Sequence, residues 1–321
     1  MKSFFLATLA VAAPLFAAAA RAGESQSYES HFGEVYAARD DGPLKADVYV
    51  PEGAGPFPGV LVVHGGAWRM GTRAQLSGLA ERLAREGFTA VAISYRLAPK
   101  HLFPAQVEDC QDAVRWMRSN AARWKIDPER IGGLGYSAGG HLVALLGALN
   151  GAPIDAAELA AADAADAPAA DVDDLADDLT EKEDPAARLQ AVIAGGAPCD
   201  FRVMPSDSER LAFWLGGSRS AKPAEYRFAS PAAFVTADDP PMFFYHGEDD
   251  QLVPVASPEW MCEQLSQCHV DHDLYVVPRV GHGAAAGDSE ALTRAAAFLK
   301  AHLQAADAAP SAPAAPAGAT P

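Results

Sequence analysis

A glycine-rich turn between an apolar run and a helix-forming run constrains this chain more than any other stretch. Residues 130–134 are largely apolar, residues 135–139 read Gly-Tyr-Ser-Ala-Gly, and residues 141–149 favour a helix. A strand, a sharp turn and a helix in succession hold the apex residue, Ser137, in a strained backbone conformation. The small residues after it let a neighbouring segment pass close by. The Ser137 hydroxyl should therefore be lifted out of the sheet, although an ordinary glycine-rich turn shows the same pattern.

Apolar runs of strand length alternate with helix-like runs along most of the remaining chain. Residues 59–63 are apolar throughout, as expected for a strand covered on both faces. Residues 35–50 instead suggest two antiparallel strands around a turn at residues 40–42. The pattern predicts an α/β fold with a mainly parallel central sheet flanked by helices, an N-terminal antiparallel hairpin, and functional residues beyond the carboxyl ends of the strands. The other predicted strands are 88–95, 130–136, 189–194, 242–245 and 273–277, and the predicted helices are 74–86, 106–124, 257–265 and 289–303.

The N-terminal residues have the features of an export signal. Lys2 provides a positive start, residues 4–20 are apolar, and the Ala-Arg-Ala at residues 20–22 fits the cleavage rule of signal peptidase. A membrane anchor needs about 20 strongly apolar residues, and this run is short and mostly alanine. We therefore predict a signal peptide at residues 1–22, cleaved near Ala22, and an exported protein that is periplasmic or secreted.

Composition limits both the domain count and the kinds of partner. Half of the residues are hydrophobic, which is ample for one large core, so we predict a single domain over residues 23–304. The formal net charge is −17, and it becomes −19 when Lys2 and Arg21 are removed with the signal. A chain this acidic is a poor partner for nucleic acid or for an anionic membrane surface. The sequence leaves the oligomeric state open.

Acidic residues are concentrated in residues 151–187, a stretch that is otherwise mostly alanine. It contains twelve Asp or Glu residues against one base, Lys182. Because such a composition buries little apolar surface, we predict a solvated insertion. A calcium loop at residues 171–174 is disfavoured, since the required glycine and final Glu are out of register. We also predict a small cap-like segment at residues 200–232 and a disordered Ala/Pro-rich tail at residues 305–321.

The four cysteines of the chain allow three pairings in an oxidising compartment. Cys262 and Cys268 are close in sequence, at the end of a predicted helix and before a predicted strand, so we expect a disulfide between them. Cys110 and Cys199 are far apart and are expected to be free and buried. No Cys-x-x-Cys motif and no His/Cys cluster indicates a metal site.

Polar residues with the chemistry of a nucleophile, an acid and a base follow three different predicted strands. Ser137 follows one, the acidic residues Glu248, Asp249 and Asp250 follow another, and His282 follows the last. A serine hydroxyl is a weak nucleophile until an imidazole accepts its proton, and a carboxylate fixes the tautomer of that imidazole. The chain order Ser, acid, His is that of the α/β-hydrolase triad. At this level the acid can be any of the three carboxylates.

A second glycine-containing loop supplies what a serine, an acid and a base lack. Residues 64–68, His-Gly-Gly-Ala-Trp, follow the predicted strand 59–63. Backbone N–H groups in such a loop can point at the oxyanion that forms when an ester or amide carbonyl is attacked. The candidate donors are Gly66 and Ala67 in this loop and Ala138 directly after the nucleophile. A plain turn is the alternative interpretation.

Several motifs along the chain occur in the order known from one group of esterases. They are His64-Gly65-Gly66-Ala67-Trp68, Ser94-Tyr95-Arg96-Leu97-Ala98-Pro99, Phe103-Pro104-Ala105 with Glu108-Asp109, the serine turn, Ala229-Ser230-Pro231 and residues 246–254. As a set covering about residues 34–303, they resemble the α/β-hydrolase carboxylesterases near the hormone-sensitive-lipase and bacterial feruloyl/acetyl esterase (BD-FAE-like) groups. The resemblance implies the α/β-hydrolase fold and ester hydrolysis without a cofactor.

The resemblance also implies particular residues. The acid of the family lies four residues after the histidine of His-Gly-x-x-Asp, which corresponds to Asp250. Many relatives have a third glycine where this chain has Ala67, but any residue other than proline keeps the N–H donor. Apart from the resemblance, Trp68 at the end of the oxyanion loop and Tyr136 beside the nucleophile are expected to contact the substrate.

The hypothesis is a serine carboxylesterase that hydrolyses small acyl esters, including acetyl or feruloyl esters of carbohydrate, through a Ser-His-Asp triad and an acyl-enzyme. It needs no cofactor and no metal. One alternative is an amidase resembling arylformamidase, which also has a His-Gly-Gly-x-Trp stretch. Another is a non-catalytic binding protein with a hydrolase fold. A peptidase of the prolyl-oligopeptidase kind is disfavoured because such chains carry a large extra domain.

Overall fold

The described part of the protein contains a single sheet of eight strands. The computed structural model describes residues 26–155, 157, 159 and 183–304. The strands of the sheet are β1 (Tyr28–Ala37), β2 (Leu44–Pro51), β3 (Phe57–Val63), β4 (Thr89–Ile93), β5 (Ile126–Tyr136), β6 (Val192–Gly195), β7 (Met242–Gly247) and β8 (His272–Val277). Their order is β1-β2-β4-β3-β5-β6-β7-β8. Strand β2 is antiparallel to β1 and β4, and all other neighbours are parallel. The predicted mainly parallel sheet with an N-terminal antiparallel hairpin is confirmed.

Helices cover both faces of this sheet. They are α1 (Ser77–Arg85), α2 (Ala105–Ser119), α3 (Ala121–Trp124), α4 (Ala138–Ala148), α5 (Ala212–Leu215), α6 (Pro223–Phe228), α7 (Ala256–Gln267), α8 (His282–Ala285) and α9 (Ser289–Leu303). Short 3₁₀ turns lie at Arg73–Leu76, Pro185–Ala187 and Pro231–Ala233. Helices α1 and α9 pack on one face, and α2, α4 and α7 pack on the other.

The apolar run in β3 shows why the sheet is covered twice. Val60 and Val62 contribute to the core cluster on one face, while Leu61 and Val63 contribute to the cluster on the other. All four side chains are buried. Successive side chains of a strand point to opposite faces, so a run without polar residues can be stable only between two helical layers. This position places the carboxyl end of β3, and the loop after it, in the centre of one sheet edge.

The long helix predicted over residues 106–124 is divided in two at Asn120. The Asn120 side chain donates a hydrogen bond to the carbonyl of Trp116, four residues earlier. Asparagine side chains compete with backbone donors for helix carbonyls in this way, which favours a helix end. Helix α2 therefore ends at Ser119 and α3 begins anew. The hairpin differs in the other direction, because β1 starts at Tyr28, earlier than the sequence pattern indicated.

Three predicted segments fall wholly or mostly outside the described residues. The predicted signal peptide at residues 1–22 and the predicted tail at residues 305–321 lie outside them, as does most of the acidic insertion at residues 151–187. The signal peptide, the tail and the solvated character of the insertion therefore stay predictions from the sequence.

The predicted disulfide between Cys262 and Cys268 is contradicted, because all four cysteines are free thiols. Cys262 lies within α7, and Cys268 is the residue that caps its C-terminus. Six positions along a helix correspond to about 9 Å at a rise of about 1.5 Å per residue. Disulfide formation requires Cα atoms less than about 7 Å apart, so closeness in sequence here prevents the bond.

A buried carboxylate lies close to the start of the acidic insertion. Asp239 accepts hydrogen bonds at one oxygen from the Asn150 amide and the Thr236 hydroxyl, each at 2.9 Å. Its second oxygen has no partner among the described residues. Burial disfavours the charged form and raises the pKa of Asp239 to about 7, despite those hydrogen bonds. The folded protein therefore binds a proton at Asp239 that the unfolded chain releases near pH 4.

This raised pKa predicts a stability that falls as the pH rises. The proton stabilises the fold below about pH 4 and is lost through about pH 7, a loss of up to about 4 kcal/mol at about 1.4 kcal/mol per pKa unit. Asp239→Asn removes the titrating group. The melting temperature of the variant minus that of the wild type should therefore increase between pH 4 and pH 7 in scanning calorimetry. Parallel melting profiles over this range would contradict the prediction.

Candidate active site

The turn between β5 and α4 holds Ser137 in a strained conformation. The residue has φ 56° and ψ −121°, a backbone conformation that residues other than glycine rarely adopt. Its N–H donates to the carbonyl of Gly195 on the neighbouring strand β6, at 2.7 Å. Gly139 is required because a Cβ atom there would lie 2.0 Å from the carbonyl oxygen of Val63 on β3. Close contact on both sides thus fixes the predicted turn and leaves the serine hydroxyl at the carboxyl edge of the sheet.

The structure brings Ser137, His282 and Asp250 into one hydrogen-bonded chain. The Ser137 hydroxyl donates to Nε2 of His282 at 2.8 Å. On the other side of the ring, Nδ1 lies 2.6 Å from a carboxylate oxygen of Asp250. A carboxylate with this partner can only accept, so the imidazole carries its proton on Nδ1 and keeps Nε2 free as a base. Strands β5, β7 and β8 supply the three residues from their carboxyl ends.

Backbone amides hold the carboxylate of Asp250 in place. Its other oxygen accepts the N–H groups of Leu252 and Val253, each at 2.9 Å. Burial alone would raise the pKa of Asp250, but the hydrogen bonds from Val253, His282 and Leu252 outweigh it and lower the pKa below its ordinary value. Asp250 therefore stays charged beside His282. The neighbouring Asp249 is exposed.

Sequence reasoning missed a second histidine next to this carboxylate. Nε2 of His246 donates to the carbonyl of Val253 at 2.7 Å and lies 3.2 Å from Asp250. It is fully buried at the end of β7. The contact closes the loop that supplies the amide donors to Asp250. The signal was available in the sequence, because His246 is the first residue of the His-Gly-x-x-Asp motif.

The loop after β3 is a tight turn with three consecutive positive φ values. Ala67 and Trp68 have φ values of 51° and 58°, and Gly66 has φ 113°. The carbonyl of Gly66 accepts the N–H groups of Arg69 and Met70, which closes the turn. No acceptor among the described residues takes the N–H of Gly66 or Ala67, or that of Ala138 at the first turn of α4. These three amides were the predicted oxyanion donors.

The Trp68 side chain is not placed to contact a substrate, contrary to expectation. It is buried and stacks in parallel on Trp214, with ring centroids 3.8 Å apart. Its indole N–H donates to Nδ1 of His141 at 3.2 Å, and Nε2 of His141 donates to the carbonyl of Ala229 at 2.6 Å. Burial lowers the pKa of His141 to about 4, so the ring stays neutral and can accept this hydrogen bond. Trp68 thus anchors the strained loop to α4 and to the segment at residues 200–232.

The Tyr136 side chain also turns inward, which corrects its expected role as a substrate contact. It is buried and its hydroxyl donates to the main-chain carbonyl of His282. The ring centroids of Tyr136 and His282 lie 5.3 Å apart. Tyr136 therefore contacts the main chain of the segment that carries His282, from the core side.

Within residues 26–155 and 183–304, no group of three or more His, Cys, Asp or Glu residues is arranged to hold a metal ion. No helix in this part of the chain is both long and apolar enough to cross a bilayer.

A mainly parallel eight-stranded sheet with a serine on a strained strand-to-helix turn defines an α/β-hydrolase. A model of the BD-FAE family matches residues 46–265, and the chain belongs to that family. The resemblance noted in the sequence is thereby confirmed.

The chain is also similar to several individual proteins. It is 30% identical over 234 residues to the esterase LipC of Mycobacterium tuberculosis, covering 71% of this chain and 53% of that protein. It therefore spans about half the length of the first curated relatives it matches. A truncated carbohydrate esterase from gut microbiota shares the fold with a TM-score of 0.71 at 24% identity, over 87% of this chain and 98% of that one. A propionate-bound esterase from Thermogutta terrifontis gives a TM-score of 0.64 at 25% identity, over 86% and 93%.

The anchor of the oxyanion loop can be tested through stability. Trp68→Phe removes the donor to Nδ1 of His141 and leaves a buried acceptor without a partner, which costs about 1–3 kcal/mol beyond the loss of ring contacts. Trp124→Phe is the matched control, because the Trp124 indole N–H is buried and has no partner among the described residues. In urea unfolding, Trp68→Phe should lower the free energy of unfolding more than Trp124→Phe. Equal losses would mean that the Trp68–His141 hydrogen bond contributes nothing.

Proposed function

We propose that the protein is a serine carboxylesterase that forms an acyl-enzyme on Ser137. The observation that carries the proposal is the continuous hydrogen-bonded chain from Ser137 through His282 to Asp250, with distances of 2.8 Å and 2.6 Å. A hydroxyl donating to a neutral imidazole, itself oriented by a buried carboxylate, is the arrangement that activates a serine nucleophile. A binding protein without catalysis would have no need of it.

The reaction follows from these contacts. The Ser137 oxygen attacks the ester carbonyl carbon while Nε2 of His282 takes the hydroxyl proton, and the carbonyl oxygen becomes an oxyanion. The N–H groups of Gly66, Ala67 and Ala138 stabilise that charge. His282 then gives the proton to the leaving alcohol as the carbon–oxygen bond breaks. Water, activated by the same base, attacks the acyl group and releases the acid. Asp250 keeps its charge throughout and stabilises the imidazolium that forms twice in each cycle.

A small acyl group, such as acetyl, and a carbohydrate or phenolic alcohol are the proposed substrate features. The Trp68–Trp214 pair and Phe201 pack tightly directly behind the oxyanion loop, which supports a short acyl chain on that side. One structural neighbour is named a carbohydrate esterase, and another was solved with propionate bound. Feruloyl esters of carbohydrate remain within the proposed class.

A substrate panel with a nucleophile variant tests this function. The wild type should hydrolyse p-nitrophenyl acetate faster than the octanoate, and acetylated or feruloylated oligosaccharides faster than an aryl formamide. Ser137→Ala should lower kcat by about 10⁶, because nucleophile and base act as one unit. Near-normal turnover by folded Ser137→Ala would exclude the serine-esterase mechanism. Preference for the aryl formamide would instead favour the amidase alternative.

The structure distinguishes two adjacent carboxylates, Asp249 and Asp250, as partners of His282. Asp250 accepts from Nδ1 of His282, whereas Asp249 is exposed. Asp250→Asn keeps the shape but favours the wrong imidazole tautomer, which should lower kcat by about 10⁴. Asp249→Asn is the matched control and should lose at most a few-fold in the same ester assay. The reverse ranking in two folded variants would move the acid to Asp249.

A further inference from the structure

Tyr136 connects the strand that carries the nucleophile to the segment that carries the base. It is the last residue of β5 and directly precedes Ser137. Its hydroxyl donates to the main-chain carbonyl of His282, and its ring lies 5.3 Å from the imidazole at an angle of 51°. The hydroxyl contacts neither ring nitrogen of His282, since those nitrogens bind Ser137 and Asp250. Its contact is with the backbone alone.

The surroundings of Tyr136 are built to admit this contact. Gly196 has φ 54°, and a Cβ atom there would lie 2.8 Å from the Tyr136 ring, 2.9 Å from its hydroxyl and 3.1 Å from Cε1 of His282. Any side chain at this position would therefore separate the tyrosine from the histidine. On the opposite side, the ring of Tyr245 packs 5.7 Å from that of Tyr136 and limits its movement.

The carbonyl of His282 needs such a donor. Helix α8 has only four residues, and its single turn is closed by the Ala285 N–H donating to Gly281 rather than to His282. His282 is the first residue of this helix, and the N–H four residues later, at Ala286, donates to Ala284 instead of to the His282 carbonyl. Gly281 and Gly283 flank His282 and give the segment further conformational freedom. The tyrosine hydroxyl thus ties down a segment that would otherwise move.

We infer that Tyr136 is a positioning residue for the base: its hydroxyl anchors the His282 carbonyl and so holds Nε2 in line with the Ser137 hydroxyl. The inference rests on the proposed serine-esterase function. Nucleophile and base then move together, because Tyr136 ends β5 and Ser137 follows it directly in the turn. A role of this kind concerns geometry only and involves no proton transfer to or from the tyrosine.

The hydroxyl can serve as donor at every pH at which the base works. The pKa of Tyr136 is well above its ordinary value, mainly because the hydroxyl is buried and secondly because the charge of Asp250 is nearby. The group therefore remains protonated through neutral and mildly alkaline conditions, and the contact should be independent of pH there.

Tyr136→Phe tests the inference by removing the hydroxyl while keeping the ring. The rate constant for acylation, from the p-nitrophenolate burst, should fall about tenfold, since sub-ångström misplacement of a reacting group costs rates of this order. KM should be unchanged, and the midpoint of the acid limb of kcat/KM should stay in place because no ring nitrogen loses a partner. Hydrogen exchange at residues 281–285 should become faster.

Tyr245→Phe provides a matched control from the same cluster. The Tyr245 hydroxyl is buried and meets no partner among the described residues, so its removal should leave the acylation rate within about twofold of the wild type. Melting temperatures show whether either variant is folded.

The outcomes separate the inference from the function on which it rests. If the wild type hydrolyses esters and folded Tyr136→Phe acylates at the wild-type rate, the positioning role is excluded and the esterase stands. Equal losses in both tyrosine variants would indicate general packing and would also exclude it. Absence of ester hydrolysis by the wild type would refute the proposed function itself.

Discussion

The strained backbone at the carboxyl edge of the sheet is the constraint on which the rest of the site depends. Ser137, Ala67 and Trp68 all have positive φ values. Each such residue costs about 1–3 kcal/mol and persists only where the surroundings leave no alternative. At Ser137 the surroundings are β3 and β6, which contact the turn from both sides. At the oxyanion loop they are the stacked indoles and the bond to His141. Burial of apolar side chains on both faces of the sheet offsets the free-energy cost of this strain.

The second requirement is to keep one negative charge inside an acidic protein. Asp250 is buried, and the net charge of −17 opposes any further anion. Three hydrogen bonds solve the problem locally, two from loop amides and one from His282. They favour the charged carboxylate more strongly than burial disfavours it. The loop that supplies the amides is closed by His246, so the acid depends on a histidine outside the triad.

The sequence was sufficient to locate the candidate site and insufficient for the contacts that support it. Ser137, the acidic cluster and His282 could be located because parallel strands end at one edge, and that depends only on topology. The family spacing then selected Asp250. Trp68 and Tyr136 were misassigned because residue type does not show which way a side chain faces beside a turn. The Cys262–Cys268 pairing failed for a similar reason, since separation in sequence was used without the helix that sets the distance.

Both misassigned aromatic residues stand next to residues that contribute to the candidate site, and this arrangement has a physical cause. Along a strand, consecutive side chains point to opposite faces, and this alternation reaches the strand's last residues. A residue that faces the substrate side therefore has a neighbour that faces the core. Tyr136, beside Ser137, points inward and its hydroxyl donates to the carbonyl of His282. Trp68, beside Ala67, also points inward, and its indole N–H donates to His141, which holds the loop in place. The geometry of the candidate site is thus fixed by side chains that face the core.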